Sequence, residues 1–555
     1  MLFRRTFALG VVSGAVLGLL SCAPKEPEPF VLFIGLDGAS LDIVDDLRAE
    51  GRLPTFDRLI RTGISGPLQS WASQPIMTQN LRRGFWSPIV WTSIATGKIP
   101  EKHGVRDFVL PIPGTSAVWM GAEEDPARAT ITIPELHGPT PLTLTMRMHS
   151  FGRAGAQPVQ LLWNGEPVDT VRLEDAWQEI AVEVTSAPVR NTLELVFARQ
   201  ARAKDGRKLA AELSWLAVTD GAGEEIFHLD PVLHREHFGR GFYPPRGQLT
   251  EVQSLHWRAK PFWSLLGDAG VPVGIVGYWG TWPAYPVNGF LVSSRMGIRD
   301  QRAGSSRLTW PETLAEEIAP LAPDAIDLAP TFERLHVSEC DPPLIEQQSV
   351  LKKILIQDEY YVRVARELLP KMDSGMFSIY LRSIDVAGHP TLHWRHGQPI
   401  PEGCPESVRD VMDETYVQID RWLQEILEAL PRRTTVVIVS DHGMQPIEGG
   451  GHHAPFGLFI AQGEGLRRGE VFHGSTVLDV APTILHLLGA EVPLEMDGKV
   501  LAQIFESNWL AQHAPRYADI DTTLDIKYRE GGEDGFETDV SEEALEQLRV
   551  LGYIE

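Results

Sequence analysis

Phe30-Val-Leu-Phe-Ile-Gly-Leu36, closed by Asp37-Gly38, is the stretch whose reading decides the fold. A strand with one face in water alternates apolar and polar residues, and this one does not alternate. A short continuous apolar run ending in a turn signal suits a strand buried on both faces, as in a parallel sheet. Comparable runs occur at Val271–Val276, Met376–Ile384 and Thr434–Ser440. Helical spacing lies between them. Val408, Val411, Met412, Ile419, Trp422, Leu423, Ile426, Leu427 and Leu430 recur at three- and four-residue steps and lead into the Thr434 run. Strands alternating with helices predict an α/β fold, a mostly parallel central sheet covered by helices on both faces.

From about 125 to 225 the pattern changes. Leu142, Leu144, Met146 and Met148 alternate with polar residues, as do Ile180, Val182 and Val184. Val159–Trp163 runs into the hairpin signal Asn164-Gly165 and on to Val168–Leu173. Leu193, Leu195 and Phe197, then Leu213, Trp215, Leu216 and Val218, extend the series. Short strands with frequent turns predict an inserted antiparallel β-sandwich. The expected organisation is 30–124 and 226–555 as two parts of one α/β domain, with 125–225 inserted between them. A chain of 555 residues is long enough for both.

The net charge of −24, from 50 basic and 74 acidic residues, excludes a nucleic-acid polymer as partner. It leaves small anionic substrates open, because bound cations invert the local charge. Three cysteines, Cys22, Cys340 and Cys404, exclude a disulfide framework; Cys340 and Cys404 either pair or stay as thiols. Arg4 and Arg5, the apolar run Phe7–Leu20 and a small residue before Cys22 read as a signal peptide over 1–21, too short to span a bilayer. Leu19-Leu20-Ser21-Cys22 is similar to a bacterial lipobox, which predicts a lipid on Cys22, a linker over 22–29 and an exported protein held to a membrane on its periplasmic or outer side. Arg4-Arg5-Thr6-Phe7 loosely resembles a twin-arginine signal.

Ligands of open parallel sheets sit beyond the carboxyl ends of the strands. Asp37 follows the first run there. Asp385 follows the Met376 run with His389 four residues on, Asp441-His442 follows the Thr434 run, and His452-His453 sits in the next loop. Carboxylates and imidazoles gathered in this way are donors for divalent cations such as Zn²⁺. Ser87-Pro88 reads as the start of a helix, Ser87 the N-cap and Pro88 its first residue. A hydroxyl there meets free backbone N–H groups that steady an oxyanion. Thr92 is the rival nucleophile, one turn further in.

Taken together, Gly-Leu-Asp37-Gly, Ser87 ahead of Thr96-Gly97, Pro100-Glu-Lys-His103-Gly104, Asp385-x-x-x-His389, Ser-Asp441-His442-Gly-Met and Val-Leu-Asp479-Val-Ala-Pro-Thr resemble the alkaline phosphatase superfamily. The nearest branch is that of type I phosphodiesterases and nucleotide pyrophosphatases, and the resemblance covers about 30–110 and 250–555. It implies two metal ions, zinc expected: one on Asp385, His389 and a loop histidine, the other on Asp37, Asp441 and His442, with Ser87 as nucleophile and further ligand. His453 is preferred to His452 because relatives place the ligand four residues before a Gly, here Gly457. Relatives usually carry Pro two residues after the nucleophile, whereas Pro88 is adjacent, and Ile89 and Val90 stand where phosphodiesterases often have Asn. Trp91 stands where the sulfatase pattern has Arg, which disfavours sulfate esters. The implied activity is hydrolysis of small, lipid-linked or glycan-linked phosphoesters, diesters or pyrophosphates above monoesters, through a phosphoryl-serine. A phosphoryl transferase, a sulfatase-like hydrolase and an inactive binding scaffold are the alternatives.

Overall fold

The computed structural model describes residues 29–524 except 71–86, 107–108, 112–116, 123–125, 134–139, 188–190, 224, 232–236, 244–248, 298–306, 325, 335–341, 401 and 431–433. The predicted signal peptide, Cys22, nearly all of the linker and Cys340 therefore lie outside the described residues. Cys404 is disulfide-bonded, which decides its state between the two alternatives.

The strands of the central sheet used below are β1 (Phe30–Leu36), β2 (Ile64–Gln69), β3 (Val273–Val276), β4 (Gly289–Val292), β5 (Gly375–Leu381), β6 (Thr434–Val439) and β7 (Phe456–Gln462). They belong to a ten-stranded sheet in which their order is β4-β3-β5-β1-β6-β7-β2. From β4 to β6 every pairing is parallel, and β7 is antiparallel to both β6 and β2. The fully apolar character of the Phe30 run is accounted for by this central position. Leu32, Ile34 and Leu36 enter one hydrophobic core, Val31 and Phe33 the other, and each face is covered by helices. The helices that matter here are α1 (Ser87–Thr96), α2 (Pro342–Leu368), α3 (Ser383–Arg395) and α4 (Val411–Glu428). The predicted 408–430 periodicity resolves into α4 and a short 3-10 turn before it, Glu406–Asp410.

Two expectations need correction. The apolar run Met376–Ile384 is not one strand: β5 stops at Leu381 and Ile384 is already in α3. His452 and His453 lie not in an open loop but on Gly450–Ala454, paired with Gly443–Ile447 in a hairpin.

A separate set of strands runs from Val118 to Leu229. Ala127–Ile133, Asn191–Phe197, Gln157–Trp163 and Glu166–Leu173 form one antiparallel sheet. Val118–Met120, Pro141–Ser150, Gln178–Thr185, Ala211–Asp220 and Glu225–Leu229 form another. Leu144, Met146, Leu161, Leu195, Phe197 and Leu213 share a third core between them. Arg106 and Arg258 both reach Glu225, at 3.1 and 3.2 Å, and tie this sandwich to the α/β part. No helix among the described residues is long and apolar enough to cross a membrane.

Candidate functional site

The register of three strands sets the site. Phe30 pairs with Gly375 on one side and Thr434 on the other, and Leu36 pairs with Leu381, so β5, β1 and β6 end nearly flush. The residues that follow emerge at one edge: Asp37 after β1, Ser440 and Asp441 after β6, and the first turn of α3, with Asp385, after β5. The Asp37 N–H donates to the Leu381 carbonyl at 2.9 Å and fixes the first of these against the third. Gly38 takes φ +69°, and a Cβ there would come within 3.0 Å of Asp385. Its N–H donates to Asp441 Oδ1 at 3.3 Å. A residue with a side chain would strain the turn and press against Asp385.

Because Asp385 and His389 are four apart in α3, they share one helix face. His389 Nε2 lies 3.3 Å from Asp385 Oδ1 and 3.1 Å from His453 Nε2. His453 Nε2 is 3.3 Å from the same Asp385 oxygen. On the other side, His442 Nε2 lies 3.4 Å from Asp37 Oδ1 and 3.3 Å from Asp441 Oδ2. It stands between the two halves, 3.9 Å from Asp385. Asp37, Asp385, Asp441, His442 and His453 are all buried. His452 is exposed on the opposite face of its strand.

Ser87 begins α1 and is buried with the others. Its Oγ donates to Asp37 Oδ1 at 3.1 Å and lies 3.3 Å from His442 Nε2. Thr92 takes no part: its hydroxyl donates to the Pro88 carbonyl of its own helix at 2.7 Å.

The neighbours orient these groups. His389 Nδ1 donates to the Gly451 carbonyl at 3.2 Å and His442 Nδ1 to the Gly443 carbonyl at 3.0 Å. A carbonyl can only accept, so Nδ1 carries a proton on both rings and Nε2 is the ring atom turned toward the cluster. Ser440 Oγ receives the Ala39 N–H and donates to the His442 carbonyl, each at 2.8 Å. Tyr380, on β5, donates its hydroxyl to Asp37 Oδ2. Sequence reading passed over Tyr380 as one more residue of an apolar run. The available signal was that a Tyr buried in a strand needs an acceptor.

Electrostatically the cluster is short of positive charge. Burial, and then the Asp37 charge, push the Asp441 carboxyl well above its usual range. Burial lowers the His442 pKa, but Asp441, Asp37 and Asp385 outweigh it and lift it to about 10. Burial and the His442 charge bring His453 down to about 4. Burial raises Asp385, yet the facing His389 and His453 take it well below the carboxylate range. Among the described residues, none donates a hydrogen bond to the buried Asp441 Oδ2. Donor atoms of Asp37, Asp441 and His442 fall within 4.8 Å of one another, as do those of Asp385, His442 and His453. A donor set of carboxylate oxygens and imidazole nitrogens, with one buried oxygen lacking a donor, fits bound divalent cations.

The family described as Type I phosphodiesterase / nucleotide pyrophosphatase matches residues 31–209 and 235–495. Among curated proteins, phosphopentomutase of Deinococcus radiodurans is 36% identical over 75 residues, 13% of this chain and 19% of that protein. The catalytic subunit of human GPI ethanolamine phosphate transferase 3 is 27% identical over 154 residues, 26% of this chain and 13% of that protein. The matches thus span under a fifth of either relative. Murine ectonucleotide pyrophosphatase / phosphodiesterase 5, solved in complex with AMP, is a structural neighbour at 10% identity and a TM-score of 0.39, covering 86% of this chain and 100% of that one.

Proposed function

Since the chain belongs to the type I phosphodiesterase / nucleotide pyrophosphatase family and is a phosphoester hydrolase or related enzyme, we propose that it cleaves phosphodiesters or pyrophosphates through a covalent phosphoryl-Ser87 at a two-cation site. The observation that carries this reading is the Ser87 hydroxyl at the N-terminus of α1, within 3.1 Å of Asp37 and 3.3 Å of His442. Asp385, His389 and His453 would hold one ion, and Asp37, Asp441 and His442 the other, with Ser87 beside it. When bound, such ions supply Lewis acidity toward the phosphoryl oxygens and favour the ionised hydroxyl, with zinc the expected identity.

The chain's own part follows from its geometry. Ser87 Oγ forms the bond to phosphorus as the leaving alkoxide or phosphate departs, and the N–H groups of the first turn of α1 face the non-bridging oxygens. Asp37 accepts the hydrogen bond from the Ser87 hydroxyl and orients its lone pair. Tyr380 keeps the Asp37 carboxylate from rotating. Water then displaces Ser87 and releases phosphate or a phosphomonoester. An alcohol replacing water would make the same half-reactions a phosphoryl transfer.

We also propose the division into 30–124, 125–225 and 226–555, and export with a lipid on Cys22. The disulfide at Cys404 supports an oxidising compartment.

The test compares chromogenic phosphomonoester, phosphodiester and sulfate esters with added Zn²⁺, for wild type and Ser87→Ala. Metal-dependent diester cleavage lost in Ser87→Ala is the expected result. Diester cleavage that survives in Ser87→Ala refutes the covalent step.

A further inference from the structure

We infer that Asp358, on α2, is a positioning residue: it caps α3 from outside and so sets where Asp385 and His389 stand for the cation they would hold. This rests on the two-cation reading above and concerns one of its two ions.

α3 begins without a cap of its own. A single residue, Arg382, separates the end of β5 from Ser383, and it occupies the N-cap position. Helices favour an accepting side chain there, and a guanidinium has no acceptor. No side-chain cap is formed from within the helix. The first N–H groups of a helix have no intrahelical partner and must find one elsewhere. Asp358 supplies it: its Oδ2 accepts the Arg382 N–H at 3.1 Å and the Ser383 N–H at 2.9 Å. Asp358 is buried, so removing its carboxylate strips both donors of their acceptor in the interior.

The carboxylate is itself well anchored, because its neighbours on α2 fasten to several different segments. Gln357 donates to the Ser294 and Met296 carbonyls beyond β4, at 3.1 and 3.0 Å. Glu359 accepts from the Trp422 indole of α4 at 2.7 Å, and Tyr360 donates to the Ile318 carbonyl at 3.0 Å. Tyr361 donates to the Ser293 carbonyl at 3.3 Å. At this turn α2 is a fixed post from which α3 starts.

Asp385 lies in the first turn of α3, and His389 one turn further on. A shift of the helix start is therefore carried into both ligand candidates. The supports of the other set lie elsewhere: Tyr380 on Asp37, Ser440 between Ala39 and His442, and the Gly443 carbonyl on the His442 ring. None of these contacts involves α2 or α3. Loss of the cap should be felt by one ion and not by the other.

Zinc affinity of the full chain, measured by competition with a chromophoric chelator, tests this without turnover. Two single-site backgrounds separate the ions. Asp441→Asn leaves the set Asp385, His389 and His453, and His453→Ala leaves the set Asp37, Asp441 and His442. Asp358→Ala should weaken zinc binding roughly 10- to 100-fold in the first background. In the second the change should stay below about threefold. Asp358→Asn keeps an oxygen for both N–H groups and should hold affinity within about threefold of the unchanged residue. Should Asp358→Ala fail to fold, Asp358→Leu, closer in volume, carries the same expectation. A merely structural role would weaken both sets alike. Equal losses in the two backgrounds, no loss in the first, or no rescue by Asp358→Asn overturns the assignment. A wild type that takes up no zinc overturns it together with the two-cation reading. Selective loss in a chain that cleaves no ester overturns the hydrolase reading and leaves the assignment standing. Ester cleavage with equal losses means the reverse.

Discussion

Gly35 of β1 lies against Trp91 of α1, and replacing it tests whether that contact sets the position of Ser87. A Cβ at position 35 would lie 2.8 Å from two carbons at the far edge of the Trp91 ring and 3.1 Å from the Tyr380 ring. Ordinary carbon contacts need ~3.5–4.0 Å, so Gly35→Ala demands a movement of about 1 Å. β1 is held on both sides by β5 and β6 and cannot give way. Trp91 moves instead, and it sits four residues after Ser87 in α1. Overpacking of this kind costs about 1–3 kcal/mol. Misplacement of a reacting group by ~1 Å costs on the order of 100-fold in rate. Trp91→Phe withdraws the offending ring edge, so Gly35→Ala should be far less damaging in that background. A double-mutant cycle on unfolding midpoint and diester turnover should give a coupling of about 1–2 kcal/mol. Additive effects, or a Gly35→Ala enzyme with wild-type kcat, would show that Trp91 does not transmit strand position to Ser87.

Other outcomes follow from the same geometry. Tyr380→Phe keeps the ring and removes the donor to Asp37, so zinc affinity, measured by chelator competition, should fall about 10- to 100-fold. Unchanged affinity would mean that Asp37 needs no outer support. Chelation should abolish turnover and lower the unfolding midpoint, with Zn²⁺ restoring both; at 100 times Kd the ion contributes about 2.7 kcal/mol. A midpoint indifferent to chelator would contradict a cation in the buried cluster. Burial lifts the Asp358 pKa to about 6 from an ordinary 3.8, although Ser383 and Arg382 pull it down. Between those values the folded chain keeps a proton that the unfolded chain has released. Stability should therefore fall as pH rises from about 4 to about 6, by roughly 3 kcal/mol. Asp358→Asn retains an oxygen for both N–H donors and should flatten that slope, whereas parallel curves for the two proteins would refute the assignment.

Much of this was present in local pattern. The uninterrupted Phe30–Leu36 run specified a strand with two buried faces, because a half-exposed strand must alternate. Asn164-Gly165 marked its hairpin because a tight turn there needs positive φ, and both residues adopt it. Asp37, Ser87, Asp385 and Asp441 could be picked out at or just beyond the ends of elements, and His389 and His453 as histidines close to them in sequence. What the sequence could not contain was their convergence. The flush register of β5, β1 and β6 depends on pairing between segments hundreds of residues apart, and no local periodicity encodes it. The same holds for the place of His442 between the two halves of the cluster. The end of β5 at Leu381 was hidden as well, since Ile384 extends the apolar run while its backbone turns into α3. Tyr380 became visible only when folding gave its hydroxyl the Asp37 acceptor. Residue type and spacing thus determined which elements form and what chemistry they carry. Tertiary structure alone decided which groups meet, because burial and long-range pairing fix the distances on which that chemistry depends.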